Sequence, residues 1–378
     1  MRIVLIATLS VFVVSLVCLG VSFAVEIFGG TDSYMAGGGG AGGSGGGGGG
    51  ASTQAASVSS GIGEKTGIVL PCATKEGTYL GVSNERTQDI SGDTAIKSGA
   101  AVLVDITDNV TVAGKNADTR IYPASMTKVM TLLVACENAK NPNELLTVSK
   151  AMAEEYKKPI NQGASIATAW NEGDQITVED ALYLVIYESD TIACWLLADY
   201  VAGSEAKFVE MMNAKAVNDL KLTGTKFANC TGLYNTEHYT TCRDMAAIMA
   251  AAMNNDSAAK VLNRTEMYTV DVYTNGEKTG SVNMYSGWYT GRLEKYKLQG
   301  TAPYYAGNGS DIMIVGGKTG YEDIPAYCYV TAGQDDTTGR KYVCVQVGRV
   351  SNDQAYVGEK QSTDDTRTIY QKYAKEPE

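Results

Sequence analysis

The sequence is almost without histidine. Its 378 residues contain one, His238, so a Ser-His-Asp hydrolase would rest on that single ring. Cys-x-x-Cys pairs are also missing, which argues against a zinc site; no metal and no cofactor is expected. Basic residues are in deficit, 31 Lys and Arg against 42 Asp and Glu for a formal charge of −11. That balance argues against nucleic acid as a partner. Phenylalanine is scarce, with 5 residues against 23 tyrosines, and a tyrosine-rich surface suits contact with carbohydrate. No internal repeat is present.

Charge is absent altogether from Ile3 to Val25. Those 23 residues are long enough to cross a bilayer. They also exceed the ~7–15-residue apolar core of a cleaved signal peptide. Residues 1–28 are therefore expected to be an N-terminal membrane anchor in preference to a signal peptide, although Ser22-Phe-Ala24 has the small-x-small pattern of a cleavage site. On either reading the remainder is exported. Residues 37–50 are 12 Gly, one Ala and one Ser. Such a tract cannot bury a core, and the span 29–60 reads as a flexible linker. Residues 61–97 are a lead-in of mixed character, 98–350 carry the chemistry, and 351–378 read as a C-terminal tail. Of eight cysteines one, Cys18, falls in the uncharged stretch. The remaining seven are odd in number, so at least one thiol is free or pairs between chains. Cys230 with Cys242, and Cys328 with Cys344, are candidate bridges or, equally, small buried hydrophobes.

Ala100-Ala-Val-Leu-Val-Asp105 reads as a buried strand that Asp108-Asn109 turns back into Val110-Thr-Val-Ala113. A helix opens at Ser125. Thr177-Val-Glu-Asp180 resembles a capping box at the head of the apolar helix 181–186. Further helices are expected over 192–201, stopped by Gly203, over 205–218 and over 244–253. Tyr268–Tyr273 alternates, and 312–315, 326–331 and 341–347 read as strands, the last two joined by a turn at 335–339. Strands, then helices, then antiparallel strands make an α+β pattern. The first strand pair and the last three are expected to share one sheet with helices packed on it.

Ser125-Met-Thr-Lys128 carries the chemistry. A serine and a lysine three apart on a helix share a face, where the amine can take the hydroxyl proton without a histidine. Ser-x-x-Lys recurs at Ser204 and Ser257, but both follow helix-start contexts and read as N-caps. Only the first copy opens a buried run, Val129 to Val134. Acyl transfer also needs an oxyanion hole, which the unpaired N–H groups of a helix start supply in part. A polar relay is needed beside the lysine, and Ser189 stands in a loop between two helices. A cationic strand is needed for a carboxylate, and Lys318-Thr319-Gly320 follows an apolar strand, with the Tyr321 N–H as the second oxyanion donor. Lys-Thr-Gly also occurs at Lys65 and Lys278, both in turn-like contexts.

These pieces, in this order, resemble the serine D-alanyl-D-alanine carboxypeptidases of the low-molecular-mass penicillin-binding class. The likeness covers roughly residues 98–350. It includes Gly114–Lys128, Leu197–Ser204, Phe208–Ala216, Phe227-Ala-Asn-Cys-Thr-Gly-Leu233, His238–Asp244 and Gly316–Tyr321 with Ala326-Tyr-Cys328. It implies an antiparallel sheet sandwiched by helices, the β-lactamase/transpeptidase-like fold. It implies Ser125 as nucleophile, Lys128 as base and Ser189 as relay. It also implies that Lys318, Thr319 and Gly320 bind a peptidoglycan stem peptide ending in D-alanine, that β-lactams acylate Ser125, and that the protein works at the extracytoplasmic face of the bacterial cell membrane. Thr191 stands where the family usually has Asn. It would bind substrate through one hydroxyl where Asn has two donors and an acceptor, at a cost of ~1–3 kcal/mol if a buried hydrogen bond is lost. The β-rich domain and amphipathic helix of many relatives are not matched.

Two other readings share the scaffold. A β-lactamase needs a second carboxylate to activate the deacylating water, and Lys221–Asn229, where one is expected, has no acid. A non-catalytic peptidoglycan-binding homologue has only Thr191 in its favour. His238 reads as a locally hydrogen-bonded residue and not as a base.

Overall fold

The computed structural model describes residues 65–77, 87–158, 164–288 and 311–374. The expected anchor, the glycine linker and residues 61–64 and 78–86 of the lead-in lie outside the described residues, as does 289–310. Among the described residues no helix is long and apolar enough to cross a membrane.

Among the described residues ten strands form two sheets. The larger runs β1 (Gln88–Asp89), β3 (Val110–Lys115), β2 (Ala100–Asp105), β10 (Lys341–Val347), β9 (Ala326–Asp335), β8 (Ile312–Glu322). All pairs are antiparallel except β1 with β3, which is parallel, Gln88 opposite Ala113. Every residue of β2 is buried, because both faces of the sheet are covered. Val102, Val104, Val343 and Val345 point into the main core, while Ala101, Leu103, Tyr342 and Cys344 point into a second, smaller one. A strand buried on both sides needs apolar residues at successive positions, which is why β2 and β10 read as continuous runs.

The helices of the main core are α1 (Lys128–Asn138), α2 (Lys150–Tyr156), α3 (Val178–Tyr187), α4 (Thr191–Ala202), α5 (Glu205–Ala214), α6 (Cys242–Met253) and α7 (Asp256–Asn263). α1 is buried from Lys128 to Cys136. Thr177 caps α3 by accepting the Asp180 N–H at 3.0 Å, and Gly203, at φ 76°, stops α4. The smaller sheet, β4 (Leu145–Thr147), β5 (Asp174–Thr177), β6 (Tyr268–Thr274) and β7 (Glu277–Met284), is antiparallel.

Several expectations are corrected. Residues 359–373 are not a tail but a helix, α8 (Glu359–Tyr373), which covers the second face of the large sheet with Ile369 and Tyr370. Asp365 fixes it by accepting from the backbone N–H of Ser98 at 2.7 Å and of Lys97 at 3.0 Å. Neither candidate disulfide exists: Cys230, Cys242, Cys328 and Cys344 are buried thiols that form no disulfide. Asn255, not Ser257, caps α7, and the Ser257 hydroxyl donates to the Val69 carbonyl at 2.8 Å. Lys278 lies in strand β7; the turn before it is Asn275-Gly276, both at positive φ. Lys65 is in an irregular segment and clamps the buried Asp180 at 2.8 Å.

Candidate active site

Pro123 and Ala124 lead into a single 3-10 turn, Ala124–Thr127, before α1 begins at Lys128. This differs from the expected α-helical start and serves the pair better. In a 3-10 turn residues three apart eclipse each other, and Lys128 Nζ lies 3.2 Å from Ser125 Oγ. Ala124 is held at φ 47°, a backbone region that alanine enters only when its surroundings compel it. Two glycines do so. A Cβ on Gly232 would stand 2.0 Å from the Ala124 carbonyl oxygen, and one on Gly320 would stand 3.2 Å from the Ser125 nitrogen. The loop carrying Gly232 is organised by Asn229, whose Oδ1 accepts the N–H groups of Thr231 (3.2 Å) and Gly232 (2.7 Å).

Lys128 is only 2% exposed. Burial pushes its amine below the ordinary 10.5, against the opposing pull of Cys194, Cys230, Asp190 and Glu322. Nζ donates to the Thr231 carbonyl, which leaves a neutral amine its lone pair for the Ser125 hydroxyl. Asp190 is fully buried behind it. Its carboxylate accepts from Ala167 N (2.7 Å), Trp170 Nε1 (2.9 Å) and Ala193 N (2.8 Å), and so caps α4. Burial still raises its pKa.

Ser189 lies between α3 and α4 at φ 58°. Its Oγ, like Thr191 Oγ1, is a buried polar atom with no hydrogen-bond partner among the described residues. Lys318 is 2% exposed, with Nζ donating to the Thr319 carbonyl at 2.8 Å. Ser125, Lys128, Ser189, Thr191 and Lys318 line one cleft of about 240 Å³. Thr319, Gly320 and Tyr321 line it too. All eight site residues expected from the sequence therefore meet, from three separate stretches of chain.

His238 is elsewhere in function. Its Nδ1 accepts the Ala228 N–H at 3.1 Å, so the proton sits on Nε2 and is donated to Thr127 Oγ1 at 2.8 Å. Burial lowers its pKa to about 4. Among the described residues no group of His, Cys, Asp and Glu is placed to hold a metal.

Sequence reasoning missed the Thr231 carbonyl, the Asp190 anchor and a carboxylate in the cleft, Glu322. Only Gly232 in Cys-Thr-Gly signalled the first.

The signature of the D-alanyl-D-alanine carboxypeptidase family matches residues 85–347. The chain belongs to that family. It is 29% identical over 244 residues to the D-alanyl-D-alanine carboxypeptidase DacF of Bacillus subtilis, covering 65% of this chain and 56% of that protein. It is 33% identical over 179 residues to DacC of Escherichia coli, covering 46% and 44%. The chain thus spans about half the length of the curated relatives it matches. In fold it is similar to the Streptomyces K15 DD-transpeptidase, with a TM-score of 0.58 at 24% identity over 73% of this chain and 97% of that one. Penicillin-binding protein 5 of Haemophilus influenzae gives 0.56 at 23% identity, over 73% and 70%. The α+β fold with a sheet between helical layers is that of this class.

Proposed function

We propose that this family member is a serine D-alanyl-D-alanine carboxypeptidase that trims the terminal D-alanine from peptidoglycan stem peptides and is inhibited by β-lactams. The observation that carries the reading is the 3.2 Å approach of a buried lysine amine to Ser125 Oγ, in a cleft that also presents Lys318. A buried ammonium without a carboxylate partner is costly, so the amine is poised to act as a base. Ser125 Oγ attacks the penultimate D-alanine carbonyl, and its proton passes to Lys128 Nζ. The oxyanion is held by the N–H groups of Ser125 and Tyr321. As the C–N bond breaks, the Lys128 proton reaches the leaving amine through Ser189. Lys318 and Thr319 hold the terminal carboxylate, and Thr191 offers its unpartnered hydroxyl to the peptide. Water then cleaves the ester on Ser125. The uncharged stretch 3–25 supports a site of action at the outer face of a cell membrane, anchored through the N-terminus.

The test is release of D-alanine from a pentapeptide ending in D-Ala-D-Ala by the full chain. The wild type is expected to release it and to take a penicillin adduct on Ser125, and Ser125→Ala to do neither. Release by Ser125→Ala overturns the mechanism. Absence of any adduct favours a non-catalytic binding protein, and fast multiple turnover of nitrocefin favours a β-lactamase.

A further inference from the structure

The proposed reaction ends with water attacking an ester on Ser125, a step that needs a base. In the unacylated site Lys128 Nζ contacts Ser125 Oγ and the Thr231 carbonyl, which places it at the ester oxygen that must leave, and segment 221–229 has no acid. The fold brings a carboxylate in from another direction. Glu322 is the last residue of β8 and lines the cleft together with Ser125 and Lys128. Alternation along an extended strand puts Lys318, Gly320 and Glu322 on one face, and no bulge interrupts the β8–β9 register over that span. The face addresses the nucleophile, since a Cβ on Gly320 would lie 3.2 Å from the Ser125 nitrogen. Glu322 is thus one strand repeat, ~7 Å, beyond the point of closest approach.

Among the described residues nothing takes up the acceptor capacity of Glu322. It is half-buried and makes no hydrogen bond or ion pair with another described residue, whereas the other nearby carboxylates are engaged. Asp190 is held by three N–H donors. Glu188 accepts the backbone N–H of Tyr285. Glu359 also lines the cleft but has a partner of its own. Burial and the neighbouring Asp323 raise the Glu322 pKa, with Lys128 pulling it back, which makes this carboxylate a stronger base than one at the surface.

We propose that Glu322 is the general base of deacylation, and the proposal rests on the carboxypeptidase reading above. Its carboxylate takes a proton from a water in the cleft while the water oxygen bonds to the acyl carbon. The tetrahedral intermediate collapses with loss of the C–O bond to Ser125. Glu322 returns the proton to Ser125 Oγ by way of Lys128 Nζ, and the released acid ionises to solvent. No co-reactant besides water is consumed.

Intact-mass and rapid-quench measurements on the full chain separate the two half-reactions. Glu322→Gln is expected to acylate with penicillin and with the pentapeptide at the wild-type rate or faster, because removing this charge favours the neutral Lys128. It should then stall, with a stoichiometric burst of D-alanine, accumulation of the acyl-enzyme and steady-state turnover down about 10²-fold or more. Normal acylation in the same variant shows that it is folded. Glu322→Asp should recover part of the turnover. The proposal is overturned if Glu322→Gln deacylates at the wild-type rate, which would make Lys128 the base. It is also overturned if the loss falls on acylation alone, which would make Glu322 a substrate-positioning residue. If the wild type neither releases D-alanine nor takes an adduct, the underlying reading fails, and this one with it.

Discussion

The chemistry turns on single atoms that have little freedom. Only the unprotonated Lys128 can accept the Ser125 proton, and burial lowers its pKa. Penicillin acylation should therefore rise with pH and level off below 10.5, the ordinary lysine value. Lys128→Arg keeps a cation that does not deprotonate and should lose ~10²–10⁴-fold in acylation rate; a pH–rate series on both proteins checks this. Gly232 is a second such point. An alanine there would need φ 84° and would put Cβ 2.0 Å from the Ala124 carbonyl oxygen, so the turn bearing Ser125 would have to move. A displacement of that kind costs on the order of 10²-fold in rate. Gly232→Ala should therefore show far slower adduct formation with an unchanged far-ultraviolet circular dichroism spectrum. Ser125, Lys128 and Lys318 were legible in the sequence because their motifs are local. The Thr231 carbonyl was not, since it reaches Lys128 across 103 residues of chain. Glu322 was not, since only the placement of β8 against the 3-10 turn turns a charge near a strand end into a cleft residue.

Elements are tied together by polar groups that no hydropathy pattern reveals. His238 joins the turn before α1 to the segment at Ala228 as a neutral ring. Its folded pKa of about 4 is below its ordinary 6.5, so the unfolded chain takes up the proton first as pH falls. The stability it supports is complete above pH 6.5, declines between 6.5 and about 4, and has no further dependence below that. The loss amounts to about 3 kcal/mol. Urea titrations across this window should show the decline, and His238→Gln should flatten it. α8 shows why some elements escape sequence reading. Its buried side includes Ser362, Thr363, Asp365 and Thr366, so its burial rests partly on hydrogen bonds such as Asp365 to Ser98. Ile369 and Tyr370 alone give too weak an apolar stripe. β7 escapes for the opposite reason, being exposed along almost its whole length, with no alternation to read. The strands of the large sheet other than the short, exposed β1, and the helices α3 to α6, were legible because burial on one or both faces imposes the pattern directly.

At the scale of the molecule, the large sheet with cores on both faces accounts for the cysteines. Six of the seven described thiols are buried and in no disulfide, and Cys72 is partly accessible. Thiol titration of the native protein should find Cys72 reacting quickly and those six only on unfolding, and a reducing agent should leave Tm unchanged. Sequence spacing suggested bridges because Cys328 and Cys344 sit on adjacent strands, yet Cys344 pairs across the ladder with Thr331 and Cys328 with Val347. The same two-sided sheet gives α8 a particular course. Glu359, at its start, touches the cleft, and its 15 residues carry the chain ~22 Å away along the back of the strands. A dye or surface tether attached at Lys372 would report on, or immobilise, the protein without crowding whatever enters the cleft, whereas the same group at the helix head would sit in the doorway.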